Sequence, residues 1–278
     1  MQVVEYDPAR RADVAALMER VWGRRPDEAE LEWFYERNPV RPACVLLGEE
    51  DGKLVATVAI AFVRMTIRGA ATEVGMPLRV ATDPPYQGRG IFGRLQAANE
   101  ERVRDLGVRL LLTVPNAAST PVFVDRLGWQ RLPPLRVWAR LRLGLRAPRR
   151  QVVERFAART PAAGGPDRVL RDADWLNWRF ADSPALYTLL EDGGYGVAGR
   201  RGRIGVVAAV EGELLGDTGD LAGGPAVIAV PPPWERRRYA RGGFVPTHRT
   251  LTLLGKSLHD DQPVPAAPHF ELGDLDFF

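Results

Sequence analysis

The first 140 residues alternate between segments whose apolar positions have helical spacing and segments in which they have strand-like spacing. The stripe from Val14 to Val21 predicts an amphipathic helix. Apolar residues dominate 44–65, where an acidic turn that ends at Gly52 predicts a hairpin of two strands. A third strand over 71–82 stops before Pro84, because proline cannot donate to a strand ladder.

The alternation continues beyond these prolines. A Gly-rich stretch leads into a helix whose apolar residues, up to Leu106, are spaced to face a sheet. A strand over 108–114, a short helix over 121–126 and another strand through Trp138 follow. This order predicts an α/β (α+β) domain with a mixed central β-sheet flanked by helices.

The second half of the chain echoes the first. The spacing L-x-W-x-Y-x-x-x-P at Leu31 to Pro39 returns at Leu176 to Pro184 with Phe in place of Tyr. The order strand, proline, helix, glycine and aromatic over 226–244 repeats the order over 110–129. We therefore predict a smaller, degenerate second copy of the first domain, which lacks a Gly-rich loop.

Composition divides the chain further. Seven arginines stand against one acid between Arg136 and Arg155, and Ala, Gly and Pro follow. A solvated strand edge and a linker explain this run best, and a contact to an acidic partner is the alternative. The predicted domain division consists of a first domain at 1–142, a linker at 143–165, a degenerate domain at 166–257 and an acidic-aromatic tail at 258–278.

The tail is predicted to be mobile or docked on the surface. Its alternating Phe270, Leu272, Leu275 and Phe277 could instead pack against a domain or a neighbouring chain, because such side chains are unfavourable in water.

Overall composition narrows the class of protein. The chain is 45% apolar and 26% charged with a net charge of +3, and no apolar stretch is long enough to span a bilayer. Cys44 is the single cysteine, and the three histidines are scattered, so we expect neither a disulfide nor a metal site. The N-terminus shows no secretion signal, and a cytoplasmic location is expected.

The candidate chemistry lies in the Gly-rich stretch between the third strand and its helix. Gly88, Gly90 and Gly93 let phosphate oxygens approach the backbone where a helix begins, and Arg89 and Arg94 add charge. The Gly-Lys-Ser/Thr ending of a P-loop is absent. The spacing G-x-G-x-x-G also fits a dinucleotide site, but it follows several strands instead of the first. The pyrophosphate of a different ligand therefore fits this loop better than the ligand of a P-loop or a dinucleotide does.

This segment resembles motif A of the GNAT (GCN5-related N-acetyltransferase) superfamily, which reads Gln/Arg-x-x-Gly-x-Gly/Ala after a strand. Gln87 and Gly90 match, whereas Phe92 stands where the family has Gly or Ala. The resemblance continues into motif B with Asn116, Ser119 and Gly128-Trp129, where the aromatic residue is Phe123.

The resemblance implies an acetyl-CoA-dependent N-acyltransferase that acts on a primary amine and needs no metal. It also implies the residues that contact the acyl-CoA co-substrate: Val80, Ala81 and Thr82 for pantetheine; Gln87, Gly88, Arg89, Gly90, Ile91, Phe92, Gly93 and Arg94 for the pyrophosphate; Asn116 and Phe123 near the thioester.

The resemblance identifies the catalytic groups less directly than the residues that contact the co-substrate. The family places a tyrosine at the position of Phe123 to protonate the departing thiolate, and Phe123 cannot do so. Water, another tyrosine or Ser119 could supply that proton. Glu73, on the strand before the loop, is the candidate base that deprotonates the amine, although a solvated strand residue is an alternative.

Two other functions stay open. A CoA-binding sensor or scaffold without turnover would explain why Phe92 and Phe123 stand where the family has Gly or Ala and a tyrosine. An acyltransferase that engages RNA would account for the basic run, but we expect neither nucleic acid nor membrane as a partner. The acceptor could be a small amine or an amine of a peptide or protein, and a homodimer is an open alternative.

Overall fold

The fold was described from a computed structural model of the chain, which describes residues 1–141, 150–161, 164–259 and 263–275. Parts of the predicted linker and tail, including Phe277, lie outside the described residues. The β-strands are β1 (Gln2–Glu5), β2 (Cys44–Glu50), β3 (Lys53–Ile67), β4 (Ala70–Thr82), β5 (Leu110–Thr113), β6 (Gln130–Leu141), β7 (Val152–Val153), β8 (Arg168–Val169), β9 (Thr188–Glu191), β10 (Tyr195–Arg201), β11 (Ile204–Glu211), β12 (Ala226–Ala229) and β13 (Val245–Ser257).

In the part of the chain that the structure describes, six α-helices accompany these strands: α1 (Arg11–Trp22), α2 (Glu28–Tyr35), α3 (Ile91–Asp105), α4 (Ala173–Leu176), α5 (Leu215–Leu221) and α6 (Arg236–Arg241). Short 3₁₀ turns occupy Pro8–Arg10, Pro84–Tyr86, Gly212–Leu214, Pro233–Glu235 and Leu272–Asp274. Two single π-helical turns occupy Val122–Arg126 and Asn177–Ala181. None of the helices in the described residues combines the length and apolar character that a membrane crossing requires.

The chain forms two compact units. Unit 1 comprises residues 1–65, 70–132 and 253–266, and unit 2 comprises 66–69, 133–252 and 267–278. The domain bounds given by the sequence analysis stay a prediction. Each unit contains residues from separate parts of the chain. Local sequence patterns cannot predict which of these distant segments pack together.

Unit 1 is built on a mixed sheet with the strand order β1-β2-β3-β4-β5-β13. The pairs β1/β2, β2/β3 and β5/β13 are antiparallel, whereas β4 and β5 are parallel. The fold class predicted from the sequence, a mixed sheet flanked by helices, is confirmed. The parallel pair stands in the middle of the sheet, where it positions the candidate site.

Helix α3 packs on this sheet through residues spaced by three and four. Ile91, Leu95 and Val103 are buried, and the same face carries Glu100, which accepts hydrogen bonds from Trp129 Nε1 (2.9 Å) and from the ammonium of Lys256. The prediction that Leu106 also faces the sheet is wrong, since its side chain is 42% exposed where the helix ends. The buried carboxylate thus has a counter-charge supplied by β13.

Unit 2 has the strand order β7-β9-β10-β11-β12-β6. Here too one central pair, β11/β12, is parallel, and its neighbours are antiparallel. Its core includes Trp138, Leu190, Val207, Tyr239 and Phe244. The prediction of a surface tail is wrong for residues 269–275, which are buried in this unit.

Candidate functional site

The parallel strands β4 and β5 of unit 1 separate soon after they meet. Their register has two residue pairs, Val74 with Leu110 and Gly75 with Leu111. Thr113 Oγ1 then donates a hydrogen bond to the carbonyl of Pro77 (3.0 Å). Beyond this point β4 continues to Thr82 with no further β5 partner among the described residues. From this short register we infer a gap between the carboxyl ends of two parallel strands, which is where α/β sheets bind ligands.

The backbone of β4 changes direction at the start of this gap. Arg79 has φ +50°, in the left-handed region that costs a residue with a side chain about 1–2 kcal/mol. Its buried guanidinium donates to Glu30 Oε1 (2.9 Å) and stacks over Phe34, with 4.3 Å from Cζ to the ring centroid. These contacts hold Arg79 in this conformation at the start of the gap.

Glu30 is the anchor of this arrangement. Arg24 forms a bidentate ion pair with it at 2.7 and 2.8 Å, in addition to Arg79. Burial acts to raise the pKa of Glu30, but the hydrogen bonds from Arg24 and the charges of both arginines outweigh it and lower the pKa. The carboxylate is therefore ionised at neutral pH, and its charge fixes Arg79 beside the gap.

The Gly-rich loop connects β4 to helix α3. Gly88 and Gly90 have φ values of +77° and +72°, and Gly90 is the residue that caps the helix without a side-chain hydrogen bond. The first intrahelical bond runs from the Arg94 N–H to the Gly90 carbonyl (3.1 Å). The backbone N–H groups of residues 91–93 have no acceptor within the helix, so they form a donor cluster suited to an anion.

Two side chains brace the loop. Asp83 is buried and forms ion pairs with Arg20 (3.0 Å) and Lys53 (3.2 Å). Gln87 donates from Nε2 to the carbonyl of Thr82 (2.9 Å). Gln87 thus supports the loop from within, which is a structural task in addition to the predicted contact with the ligand.

Three arginines surround the loop. Arg89 is held by Glu50 (3.3 Å), by the carbonyl of Pro85 (3.1 Å) and by the ring of Tyr86. Arg94 and Arg126 are exposed, and their side chains have no hydrogen bond or ion pair within the described residues. Their charges are free to meet an anion at the loop.

Arg126 is the residue that sequence reasoning missed. A Cβ atom built on Gly90 would lie 3.8 Å from Arg126 Nη1. The π-helical turn carrying Arg126 reaches α3 through the rings of Phe92 and Phe123, whose centroids are 5.3 Å apart. No local sequence pattern indicates that an exposed arginine lies next to a loop more than thirty residues earlier in the chain. The packing of these two segments shows it.

Asn116 and Ser119 lie together in the segment after β5. Asn116 Oδ1 accepts hydrogen bonds from the Ser119 N–H (2.9 Å) and from Ser119 Oγ (3.0 Å). Its carbonyl accepts from Thr120 Oγ1 (2.7 Å). The Asn116 amide nitrogen is left without a partner among the described residues, and can donate to a ligand.

Several predicted contact residues lie in the core instead of at an open surface. Phe123 is 2% exposed and packs edge-to-face between Phe92 and Trp129. Ala81 and Ile91 are buried as well, so they can offer a ligand only backbone atoms. The contact of Phe123 with an acyl-CoA stays a prediction.

Glu73 lies away from the loop. It precedes the first β4/β5 residue pair, and nine residues at about 3.3 Å each separate it from Thr82. Its carboxylate forms an ion pair with Arg41 (3.0 Å). Burial raises the pKa of Glu73, while the charges of Arg41 and Arg64 oppose that rise. The structure thus joins Asn116 to Ser119 and brings the turn of Arg126 to the loop, but it does not bring Glu73 to the loop.

Comparisons with known proteins agree with this geometry. The family model of the GNAT acetyltransferase domain matches residues 4–132. The uncharacterized N-acetyltransferase YjhQ of Escherichia coli (strain K12) is 29% identical over 120 residues, 41% of this chain and 64% of YjhQ. The match therefore spans less than two thirds of that relative.

Solved structures show the same fold over most of the chain. A GCN5-related N-acetyltransferase from Kribbella flavida has a TM-score of 0.62 at 16% identity, covering 92% of this chain and 71% of its own. Another from Anabaena variabilis ATCC 29413 has a TM-score of 0.63 at 10% identity, covering 93% and 73%. These findings show that residues 4–132 match the model of a GNAT acetyltransferase domain and that the fold is shared with these solved structures.

Proposed function

We propose that this chain transfers an acetyl or other short acyl group from acyl-CoA to a primary amine. The observation that carries the proposal is the gap between β4 and β5, which leads directly into a helix N-terminus capped by Gly90. An extended pantetheine arm suits the unpaired edge of β4, and a pyrophosphate suits the free N–H groups at the helix start.

The charges around the loop support an anionic ligand. The glycines leave the backbone uncovered, and Arg94 and Arg126 add two cations without competing carboxylates. Charge-assisted hydrogen bonds from guanidinium groups to phosphate are among the stronger polar contacts in proteins. In this proposal residues 87–94 and Arg126 hold the phosphates, and Val80 to Thr82 line the pantetheine.

The chemistry assigns tasks to the remaining residues. A neutral amine attacks the thioester carbonyl, the carbon–sulfur bond breaks, and the thiolate takes a proton while the new ammonium loses one. In this proposal the free amide N–H of Asn116 holds the end of the acyl-CoA, and Ser119 or water supplies the proton to sulfur. Glu73 stays the candidate base.

A thiol-release assay with acetyl-CoA and a panel of primary amines tests the activity, alongside calorimetric titration with CoA. The panel should contain small amines, amino sugars and peptides with free amino groups. Turnover with any of them supports the transferase. Failure to bind CoA at all would overturn the proposal.

The second candidate is a CoA-binding protein without turnover. It is favoured by Phe123, which fills the core where a tyrosine would supply a hydroxyl group. CoA binding with no turnover across the panel would support this function.

An RNA-binding role has less support. Within the described part of the basic run, Arg140, Arg150 and Arg155 form ion pairs with Asp220, Asp192 and Asp182. Arginines neutralised by carboxylates of the same chain have less charge available for phosphates.

Replacing Arg126 by glutamine is expected to weaken CoA binding by about 10- to 100-fold, because one charge-assisted hydrogen bond contributes roughly 1.5–3 kcal/mol. Calorimetry with CoA, 3′-dephospho-CoA and pantetheine measures the effect and locates it. Equal losses for the first two ligands would indicate the pyrophosphate, and a loss for CoA alone would indicate the 3′-phosphate. Arg131→Gln, at an exposed arginine without a partner in the described residues, is the control. Unchanged affinity in Arg126→Gln would remove Arg126 from the site.

Replacing Glu73 by glutamine tests the candidate base. If Glu73 accepts the proton, kcat should fall at least tenfold while the Kd for acetyl-CoA stays unchanged. Because burial raises the pKa of Glu73, the wild-type rate should increase with pH as the carboxylate ionises, and the variant should lose that limb of the profile. An unaltered kcat would leave Glu73 as the structural partner of Arg41.

A further inference from the structure

Unit 2 repeats the separated parallel strands of unit 1. Strands β11 and β12 share two residue pairs, Gly205 with Val227 and Val206 with Ile228. β11 then continues to Glu211 without a β12 partner in the described residues. A gap should therefore open between the carboxyl ends of these strands, equivalent to the gap between β4 and β5.

The C-terminal segment, residues 269–275, lies in this second gap. On the β12 side, the ring of His269 lies near the backbone of Val230, the residue after that strand, which acts to raise the pKa of His269. On the β11 side, the backbone N–H of Val210 donates to Glu271 Oε1 (3.3 Å). A carboxylate of the segment thus takes the hydrogen bond from an unpaired strand amide.

Charge complementarity fixes the segment. Arg171 is buried and forms ion pairs with Glu271 (2.6 Å) and with Asp274, and it also donates to the hydroxyl of Tyr195 (3.0 Å). Tyr239 donates to Glu271 Oε1 (3.4 Å). A buried arginine that faces two carboxylates of one short segment specifies an acidic ligand.

Backbone recognition and apolar burial complete the contact. Arg179 donates from Nε to the carbonyl of Gly273 (2.8 Å) and from Nη2 to that of Leu275 (2.7 Å). The side chains of Phe270 and Leu272 are fully buried. Acidic, backbone and apolar features of the segment are thus all matched by unit 2.

We propose that the gap between β11 and β12 is a peptide-binding site for an acidic, aromatic segment, and that its ligand is this chain's own residues 269–275. The equivalence of this gap to an acyl-CoA site rests on the proposed function. The contact between residues 269–275 and unit 2 does not. The chain accordingly binds one acyl-CoA, in unit 1, because its own segment fills the second gap.

Gly273 offers a way to disturb the segment without altering a charge. A Cβ at this position would lie 2.7 Å from the ring of Phe180 and 2.9 Å from the carbonyl oxygen of Ala208 on β11. Gly216→Val is a matched control in the same unit, since a Cβ there meets nothing within 4 Å. Should Gly273→Val fail to fold, Glu271→Gln retains the size of the side chain and removes its charge.

Hydrogen exchange measured by mass spectrometry on the full chain tests the proposal. In the wild type, the segment 207–211, which pairs with β10 but has no β12 partner in the described residues, should exchange as slowly as residues 205 and 206, which pair with both strands. In Gly273→Val, or in Glu271→Gln to a smaller extent, residues 207–211 and 269–275 should together exchange at least tenfold faster, while helix α3 and the control stay unchanged. Fast exchange of 207–211 in the wild type, or loosening of the segment alone, would overturn the proposal.

Calorimetry on the same proteins gives the stoichiometry. One CoA per chain is expected, and two per wild-type chain would show that the second gap is open to CoA and refute the occupancy by the segment. Absence of any CoA binding would count against the proposed function only, since hydrogen exchange decides the peptide contact independently.

Discussion

Replacing Gly90 by glutamate is expected to weaken CoA binding about 100-fold or more. The φ of +72° at this position costs a residue with a side chain about 1–2 kcal/mol. The new carboxylate would also stand at the helix N-terminus proposed to hold phosphates, beside Arg126, whose charge it would neutralise. At this position the strain distorts the proposed phosphate-binding loop itself, and this distortion together with charge repulsion should exceed the roughly 2.8 kcal/mol that corresponds to a hundredfold loss. Calorimetric titration with CoA measures this loss of affinity.

The matched control is Gly107→Glu. Gly107 has φ +85° and open space around it, and it follows the opposite end of the same helix. It should reproduce the strain, with a small loss of thermal stability, and leave the Kd for CoA within about twofold of the wild type. Equal losses of affinity in both variants would mean that the effect at Gly90 arises from helix destabilisation and not from the loop.

Replacing Arg171 by methionine is expected to lower the free energy of unfolding of unit 2 by about 3–5 kcal/mol. Methionine fills much of the volume but leaves Glu271 and Asp274 buried without their counter-charge, which is the costly way to break an ion pair. Urea unfolding followed by tryptophan fluorescence provides the measurement. The exposed pair of Arg150 with Asp192 supplies the control, because Arg150→Met should cost less than about 1 kcal/mol.

The pH dependence of this deficit distinguishes charge from packing. Burial raises the pKa of Glu271 to about 7 even with Arg171 present, from an ordinary value of 4.5. Without the arginine, the folded state should retain protons that the unfolded state releases above about pH 4.5. The wild type also retains this proton up to about pH 7, so the deficit of Arg171→Met should grow as the pH rises above about 7, where the wild type releases the proton and the variant still holds it. A deficit that does not vary with pH would indicate lost packing alone.

Local patterns predicted the parts of the site that are local in the chain. The prolines that end β4, the glycines at positive φ and the apolar face of α3 all follow from short-range conformational preferences, and the structure contains each of them. The resemblance to GNAT motifs added Asn116 and Ser119, which the structure joins by hydrogen bonds.

Tertiary packing determined what the sequence did not reveal. Arg126 reaches the loop only because its turn packs on α3, and Arg79 adopts its unusual backbone conformation because Glu30 lies next to it. The C-terminal segment has the acidic and aromatic composition of a surface tail. It is buried because Arg171 and Arg179, a hundred residues earlier, meet its charges and carbonyls.

The position of β13 in unit 1 has a consequence for biosynthesis. Leu254 to Ser257 pair with β5, and Lys256 is the counter-charge of the buried Glu100. A nascent chain that has completed only the first 142 residues therefore exposes the β5 edge and holds an uncompensated carboxylate in its core. Such an intermediate must wait for more than one hundred further residues, and chaperone dependence should be greatest in this interval of translation.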